Sequence, residues 1–374
     1  MSLAILFAEV GASLLAAGAL AFSLVTAAPH ISQAAPLAGA FLQNPAAAMQ
    51  AMESMAAPAP TAQPAPQADP EKDIAAEAPA PEIPEAETAQ TPAEPQTEEA
   101  PAAFDGVIPD GCGPVLEQHY GSGEGERYIQ LANGSIKNCT SLSAAEAAEA
   151  AAAGLPFQIE LNSSEPQVLI MHTHATESYL TESPYWYALD WGGRTTEQDK
   201  NMCAVGQAMT EVLNAAGVNT IHNETLHDYP SYNGSYDKSR ATVQQLLQQY
   251  PSIKVVLDVH RDAIEKNGAI VAAVNGEGDA KTAQVMVICG CDKGGNLPNF
   301  KQNLAFAAAW QNQMEADTPG LTRPVLFDYR FYNQDLTTGS LLIEIGGHGN
   351  TLSQAIAAGQ KAASSLAALF AGQA

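Results

Sequence analysis

The stretch Val168-Leu-Ile-Met-His172-Thr-His174-Ala-Thr-Glu177 sets two histidines and a glutamate directly behind an apolar run. Two later stretches repeat this arrangement: Val255-Val-Leu-Asp-Val-His260-Arg-Asp262 and Leu341-Leu-Ile-Glu344-Ile-Gly-Gly-His348. Continuous apolar runs are typical of buried parallel strands. The carboxyl ends of such strands open onto the crevice where α/β sheets bind ligands. The three stretches therefore predict that distant histidines and carboxylates converge, as the protein ligands of a hydrolytic zinc ion do.

Strand and helix patterns alternate from residue 105 onward, with a small lead-in region over 105–165 and a main domain over 166–374. The patterns predict strands at 167–171, 218–221, 253–259 and 340–345, and helices at 143–153, 199–216, 237–250, 298–316 and 352–370. The turn-forming residues Asn275-Gly-Glu-Gly predict a hairpin at a sheet edge from 269–274 and 282–289. This alternation predicts an α/β fold: a mostly parallel sheet with helices on both faces.

An uncharged segment, residues 10–28, lies within the first 29 residues. At about 1.5 Å per residue, a helix of this length just spans a hydrocarbon core of roughly 30 Å. Two interpretations remain: an uncleaved transmembrane anchor, which we favour, and a signal peptide cut near Ala28. A buried amphipathic helix is disfavoured because the segment has no polar face.

Residues 30–104 form a stretch rich in alanine, proline and glutamate. Residues 29–104 hold 14 of the 24 prolines and eleven acidic residues against one lysine. Such a composition cannot bury enough apolar surface to offset its ordering entropy, so we predict a disordered linker. This segment contributes much of the net charge of −25, and an acidic chain argues against a nucleic-acid partner.

The five cysteines contain no Cys-x-x-Cys pair, so they predict neither a metal site nor a redox motif. Cys112 and Cys139 lie in polar, loop-like sequence and are candidates for a disulfide in an exported protein. Cys203 lies in a helical pattern and Cys289 in an apolar strand, so both are predicted to be buried thiols.

His172 and His174 alternate along the first strand, so they point to opposite sides and only one faces a metal unless the chain turns. We prefer His174 as the ligand and assign His172 to an outer or transition-state role. Glu177 is either a further ligand or a turn cap. Arg261 pairs with Asp262 or with substrate carboxylates.

Glu344 is the most unusual carboxylate of the chain because it interrupts an otherwise apolar strand. Burial of an unpaired carboxylate costs several kcal/mol, so it requires a metal, a base or a catalytic task. Gly346 and Gly347 follow it and permit close approach of substrate or backbone.

Three long motifs carry a family resemblance: His172-Thr-His174-Ala-Thr-Glu177-Ser-Tyr, Asp258-Val-His260-Arg-Asp262-Ala and Tyr332-Asn-Gln-Asp-Leu-Thr-Thr-Gly-Ser-Leu-Leu-Ile-Glu344-Ile-Gly-Gly-His348-Gly-Asn-Thr. In this order they resemble stage II sporulation protein P, a family of membrane-anchored peptidoglycan hydrolases similar to zinc-dependent N-acetylmuramoyl-L-alanine amidases. The resemblance covers roughly residues 125–374.

This resemblance implies zinc as cofactor, with His174, Glu177 and His260 as its ligands and Glu344 as general base. His172 or Arg261 would stabilise the oxyanion. In the broader amidases the ligand glutamate opens the following helix, so Glu197 and Asp199 compete with Glu177 for that role. The implied reaction is hydrolysis of the amide between the muramyl lactyl group and L-alanine, with endopeptidase activity on peptide cross-links as a further implication.

The resemblance also implies a location and a partner. It predicts a single-pass protein of the cell membrane with its catalytic domain on the extracytoplasmic side, in the intermembrane space of a sporulating cell during engulfment. The implied partner is a lytic transglycosylase. Two other functions remain as alternatives: a non-catalytic cell-wall-binding module, and a different metallohydrolase such as a peptidoglycan deacetylase.

Overall fold

The computed structural model describes residues 106–373. In this part of the chain the strands are β1 (Cys112–Gln118), β2 (Tyr128–Gln130), β3 (Ser135–Asn138), β4 (Val168–Met171), β5 (Trp186–Ala188), β6 (Thr220–His222), β7 (Val255–Asp262), β8 (Glu265–Lys266), β9 (Ala269–Asn275), β10 (Thr282–Ala283), β11 (Val285–Gly290), β12 (Val325–Asp328) and β13 (Gly339–Gly347). The α-helices are α1 (Ala144–Ala151), α2 (Met202–Ala215), α3 (Ser235–Gln249), α4 (Phe300–Asp317) and α5 (Leu352–Ala371).

Eight strands form the larger sheet, in the order β2-β3-β12-β11-β13-β7-β4-β6. The strands β13, β7, β4 and β6, which hold the three apolar runs, pair in parallel. However, β11 pairs antiparallel with β13, and β2 pairs antiparallel with β3. The predicted α/β class is confirmed, but the prediction of a mostly parallel sheet is wrong. The short connection between β2 and β3 reverses the chain, and β11 enters from the smaller sheet, antiparallel to β13.

The smaller sheet has the order β10-β9-β1-β5, and β8 pairs with β9. Apart from the parallel pair of β1 and β9, its pairings are antiparallel. The predicted hairpin forms only where β9 meets the two residues of β10. The chain then passes at Gln284 into β11 of the larger sheet. The Gln284 side chain is buried there and bonds the Tyr120 and Gly320 carbonyls, which stabilises the change of sheet.

Polar side chains cap the N-termini of three helices. Ser143 and Glu146 form a capping box before α1, and Thr351 and Gln354 form another at the start of α5. Helix α2 begins three residues later than predicted, because Asn201 caps it by accepting a hydrogen bond from the Cys203 N–H.

The two faces of the larger sheet bury different helices. On one face, Val255, Leu257 and Val259 pack with apolar residues of α2, α4 and α5. On the other face, Met171 and Val256 pack with residues of α3. Because successive strand residues alternate between faces, Asp258 and His260 lie on the α3 face. The prediction of helices on both faces therefore holds for this sheet.

The N-terminal predictions lie outside the described residues, including the anchor within residues 1–29 and the linker over 30–104. None of the helices in residues 106–373 is long and apolar enough to cross a bilayer. Cys112 and Cys139 carry free thiols, so the structure does not contain the candidate disulfide. Cys203 and Cys289 are buried, and burial raises the pKa of the Cys203 thiol to about 12.

Candidate active site

Two neighbouring parallel strands place His260 and Glu344 side by side. Strands β7 and β13 pair in register, so that His260 lies opposite Glu344 and Asp258 opposite Leu342. Residues opposite each other in a parallel pair direct their side chains to the same face. The imidazole and the carboxylate, 84 residues apart in sequence, thus share the α3 face at the carboxyl end of the sheet.

The His260 ring is oriented by a buried carboxylate. Its Nε2 lies 2.7 Å from Asp258 Oδ1, and the same carboxylate accepts hydrogen bonds from the backbone N–H and hydroxyl of Thr173. Burial alone would lower the pKa of His260, but Asp258, with Glu177 and Glu344, raises this pKa to about 9. The ring's Nδ1 is left facing Glu177 Oε2 at 3.7 Å.

Glu177 lies in the loop after β4, where its carboxylate reaches toward β7. Oε2 accepts a hydrogen bond from the backbone N–H of Arg261 at 3.2 Å, and Oε1 lies 3.4 Å from the Arg194 guanidinium. The side chain is buried, with 7% of its surface exposed. The Glu177 carboxylate therefore lies beside His260 and is not exposed at a turn.

His174 reaches the same place because the chain turns after β4. Its ring stacks on Tyr232 with centroids 4.5 Å apart and meets the His260 ring edge-on at 5.2 Å. Its Nδ1 is buried without a hydrogen bond, 3.9 Å from Asp228 Oδ2. Burial, and then the charge of His260, lower the pKa of His174 to about 4. The neutral ring is thus available as a lone-pair donor.

The Glu344 carboxyl group is held in an environment that disfavours its ionised form. Its side chain is half-buried, and Oε2 is buried without a hydrogen-bond partner. Burial, and then repulsion from Asp262, raise its pKa to about 8, although the adjacent His260 acts in the opposite direction. A carboxyl group with a pKa near neutrality is suited to accept and return a proton.

His172 lies apart from this cluster, on the α2 face of the sheet. Its Nδ1 is 2.7 Å from the Val259 carbonyl, and its Nε2 is 2.8 Å from Nε2 of His222. Since a carbonyl only accepts, Nδ1 carries the proton and His222 must donate to His172. Gly206 of α2 makes room for both rings, because a Cβ there would lie 2.5 Å from each Nε2. Both ring nitrogens of His172 therefore have hydrogen-bond partners on the α2 face, so neither is free for the predicted transition-state role.

The Arg261 guanidinium is likewise occupied. It donates to the carbonyls of Ser178 and Gly193, at 2.6 Å each, and to that of Asp262 at 3.3 Å. The Arg261 side chain therefore holds the segment that carries Glu177 in place and is not free to bind a substrate. Asp262 forms its ion pair with Arg323, at 2.7 Å, and not with Arg261 as one prediction had it.

Glu197 and Asp199, the rival candidates for the ligand role, are both exposed. Glu197 pairs with Lys200 at 2.5 Å. Of the three candidate carboxylates, Glu177 is the one beside His260. The glycines after Glu344 serve the protein's own packing: Gly346 has φ +65°, and a Cβ there would lie 2.6 Å from Asn350 Oδ1.

Several residues of the site were missed by the sequence analysis. Asp228 is buried, lies beside His174 and pairs with Arg194 at 2.7 Å. Tyr232, in the turn before α3, and Tyr236, in the first turn of α3, contact the His174 ring. The four-residue spacing of the two tyrosines was a usable signal, whereas nothing local marked Asp228 as different from other loop carboxylates.

A metal ion requires donors that are close, deprotonated and free of other bonds. As arranged in residues 106–373, no group of three or more His, Cys, Asp or Glu side chains could hold a metal ion. The donor chemistry nevertheless fits zinc: His174 has an unpartnered buried nitrogen, and His260 directs Nδ1 at Glu177. Asp258 on the far nitrogen of His260 reproduces the carboxylate support usual for zinc-binding histidines. His174 is already neutral, whereas His260, with a pKa of about 9, would have to release a proton to bind a metal ion.

Comparison with known proteins assigns the family. A sequence model described as stage II sporulation protein P (SpoIIP) matches residues 40–371. The chain belongs to the stage II sporulation protein P family. The stage II sporulation protein P of Bacillus subtilis (strain 168) is 32% identical over 216 residues, which cover 54% of this chain and 50% of the relative. The chain thus spans about half the length of that curated relative.

Solved structures with some likeness to this family member are bacterial amidases. The N-acetylmuramoyl-L-alanine amidase AmiC2 of Nostoc punctiforme is 12% identical, with a TM-score of 0.34; the match covers 56% of this chain and 98% of the amidase. The N-acetylmuramoyl-L-alanine amidase of Clostridium difficile 630 is 17% identical, with a TM-score of 0.34. This match covers 56% of this chain and 97% of the amidase. These similarities are too weak to assign an activity.

Proposed function

We propose that this SpoIIP family member is a peptidoglycan hydrolase of sporulation that cleaves the amide between the muramyl lactyl group and L-alanine. The observation that carries the proposal is the register of β7 and β13. It places a carboxylate-supported histidine beside an unpartnered glutamate, with Glu177 and His174 adjoining. Such a set of groups suits hydrolysis of an unactivated amide.

The residues proposed to hold zinc are His174, Glu177 and His260. A bound zinc ion supplies a Lewis acid and lowers the pKa of water to about 7. Asp258 holds the His260 ring through Nε2 and so keeps Nδ1 directed at the site. Arg194 and the backbone N–H of Arg261 hold the Glu177 carboxylate in the free protein.

Glu344 is proposed as the general base. Its carboxylate accepts a proton from the attacking water and delivers that proton to the nitrogen of the leaving amine. A pKa of about 8 is close to neutral pH, where one group performs both transfers with little penalty. Arg261 acts as a positioning residue, because its guanidinium joins the Ser178 and Gly193 carbonyls.

The finer features of the function rest on the family. They include endopeptidase activity on peptide cross-links, a lytic transglycosylase partner and an N-terminal anchor that places the domain on the extracytoplasmic side of the membrane. The linker over residues 30–104 would then set the reach of the domain from that membrane. The CwlD amidase of Clostridioides difficile was solved in complex with the GerS lipoprotein, so a protein partner has a precedent in an amidase.

The test combines zinc content with product analysis. We expect the purified protein to bind one zinc ion and to release intact stem peptides from peptidoglycan, as mass spectrometry of the digest would detect. His260→Ala should lose both zinc and activity while remaining folded. His119→Ala is the matched control, because that ring bonds the Val274 carbonyl in the smaller sheet.

Three outcomes would contradict the proposal. Full zinc content in His260→Ala would remove this histidine from the ligand set. Loss of acetate with stem peptides still attached would indicate a deacetylase. Zinc-free protein that binds peptidoglycan without cutting it would indicate a cell-wall-binding module.

A further inference from the structure

A hydrogen-bond donor at the carbonyl oxygen of the substrate assists amide hydrolysis. Arg261 and His172, the two residues predicted for this role, are engaged elsewhere. Arg261 donates to backbone carbonyls, and both ring nitrogens of His172 are bonded on the opposite face. Tyr236, the second residue of α3, stands at the site instead. Its half-buried ring meets the His174 ring edge-on, with centroids 5.6 Å apart and planes at 84°.

The Tyr236 ring lies beside the His174 ring and is therefore next to the acidic cluster. Burial raises the pKa of Tyr236 well above its ordinary value, and the carboxylates of Asp258, Glu344 and Glu177 raise it further. Within residues 106–373 the hydroxyl of Tyr236 makes no hydrogen bond. It is therefore a donor available to a ligand.

The loop before β13 holds Tyr236 in this position. The Tyr332 ring stacks on the Tyr236 ring with centroids 5.3 Å apart. Tyr332 and the next residue, Asn333, have φ values of 44° and 55°, a left-handed conformation that is uncommon outside glycine. Asn333 Nδ2 donates to the Tyr236 carbonyl at 2.9 Å. Uncommon backbone conformations of this kind cluster at functional sites, where the surroundings maintain them.

A bidentate ion pair fastens the same loop to α3. Arg240 donates to both oxygens of Asp335, at 2.7 and 2.6 Å, one helical turn after Tyr236. Planar pairs of this type fix orientation as well as distance. The segment Tyr332-Asn-Gln-Asp thus serves to orient the second residue of α3.

We propose that the Tyr236 hydroxyl donates a hydrogen bond to the carbonyl oxygen of the scissile amide as that oxygen acquires negative charge. This inference rests on the proposed function and adds a catalytic residue to it. Pre-oriented donors of this kind stabilise the transition state because they require no reorganisation when charge develops.

The proposed step conserves atoms and electrons. The water oxygen forms a bond to the carbonyl carbon, and the π electron pair of the carbonyl moves onto its oxygen. Glu344 takes the proton of the water. An electron pair of the oxyanion then re-forms the carbonyl as the C–N bond breaks, and the C–N pair leaves with the nitrogen, which takes the proton from Glu344. Tyr236 keeps its own proton throughout, so it acts through a hydrogen bond alone.

The experiment measures steady-state hydrolysis of a soluble muramyl peptide by the zinc-loaded protein. Tyr236→Phe keeps the ring and its stacking, and we expect kcat to fall about 10²-fold, as for loss of one oxyanion donor. KM should change less than about 2-fold, since little charge is present in the ground state. Zinc content should be unchanged, as measured by elemental analysis.

Tyr250→Phe is the matched control. That tyrosine follows the last turn of α3, and its hydroxyl accepts a hydrogen bond from Gln249 at 2.9 Å. Its kcat should equal that of the parent protein. An unchanged kcat in Tyr236→Phe would overturn the inference, and a rise in KM at constant kcat would do the same, because the hydroxyl would then bind substrate and transition state equally.

Glu344→Gln, assayed in parallel, separates this inference from the function on which it rests. Loss of turnover in Glu344→Gln with normal turnover in Tyr236→Phe would overturn the role of Tyr236 alone. Absence of hydrolysis by the parent protein with zinc would overturn the proposed function and this role with it. Loss of zinc from Tyr236→Phe would make Tyr236 a support for His174 and would also contradict the inference.

Discussion

Replacement of Glu344 by glutamine should make the metal-free protein more stable and the enzyme nearly inactive. Glu344 has a pKa of about 8 in the folded protein against an ordinary value of 4.5. Between these pH values the unfolded chain ionises this carboxyl group while the folded chain keeps it protonated. The folded state then binds more protons than the unfolded state, so its stability falls as the pH rises.

The size of the effect follows from the pKa difference. Each pKa unit corresponds to about 1.4 kcal/mol. The raised pKa of Glu344 therefore lowers the free energy of unfolding of the wild-type protein by up to about 3 kcal/mol at about pH 7. Glutamine has nearly the same shape and does not ionise. The protonated carboxyl group of Glu344 and the amide of glutamine each place an unpaired hydrogen-bond donor at the buried Oε2 position. The cost of leaving that donor unpaired therefore largely cancels between the two proteins.

Urea denaturation of chelator-treated wild-type and Glu344→Gln proteins measures this difference. We expect the variant to be more stable by roughly 2 to 3 kcal/mol at about pH 7, and by under about 0.5 kcal/mol at about pH 4.5. Equal free energies of unfolding at the higher pH would refute the raised pKa. A less stable variant would show that the carboxylate has a favourable partner in the folded state.

The same variant tests catalysis. Loss of a general base costs about 10² to 10⁴ in rate, and we expect turnover to fall by this factor while zinc content and peptidoglycan binding persist. If zinc is lost together with activity, Glu344 is a ligand, and Glu177 becomes the better candidate for the base.

Three further predictions concern the support of the site, its pH dependence and the linker. Asp258→Asn should lower zinc affinity about 10- to 100-fold in a titration against a competing chelator, because His260 loses its charged partner, and unchanged affinity would exclude that role. Burial lowers the pKa of His172 to about 3 and those of His174, His222 and His348 to about 4, from 6.5 in the unfolded chain. The unfolded chain therefore binds more protons below pH 6.5, so the metal-free protein should lose roughly 1.4 kcal/mol per pH unit for each histidine as the pH falls toward 4. A flat denaturation profile over that window would contradict those pKa values. Deletion of residues 30–104 should leave thermal stability and activity on isolated peptidoglycan nearly unchanged, and a large fall in melting temperature would show that this segment is folded.

Much of the site was predictable because its residues follow apolar runs directly in sequence. His174, His260 and Glu344 were selected on that basis, and the structure brings all three together with Glu177. Asp228 and Tyr236 were not selected, because each reaches the site through a loop or helix whose position depends on the remainder of the fold.

Local periodicity predicted from the sequence alone the five helices and the strands that carry the site, since apolar spacing reflects burial of one side of each element. The strands β1, β5 and β12 were not predicted. Local periodicity also predicted the α/β class, while the residues of three motifs in order marked the family. Tertiary structure decided the direction of β11 and the transfer of the chain between sheets at Gln284, because strand pairing is set by partners distant in sequence.

Tertiary structure also decided which polar groups are free to react. His172 and Arg261 have the residue types of an active site, but hydrogen bonds to His222 and to backbone carbonyls occupy them. Glu177 is a better candidate for a zinc ligand than Glu197 because Glu177 is buried beside His260, whereas Glu197 is exposed. Sequence pattern specifies on which side of a strand a side chain projects, whereas the partner that it meets there depends on packing between segments far apart in the chain.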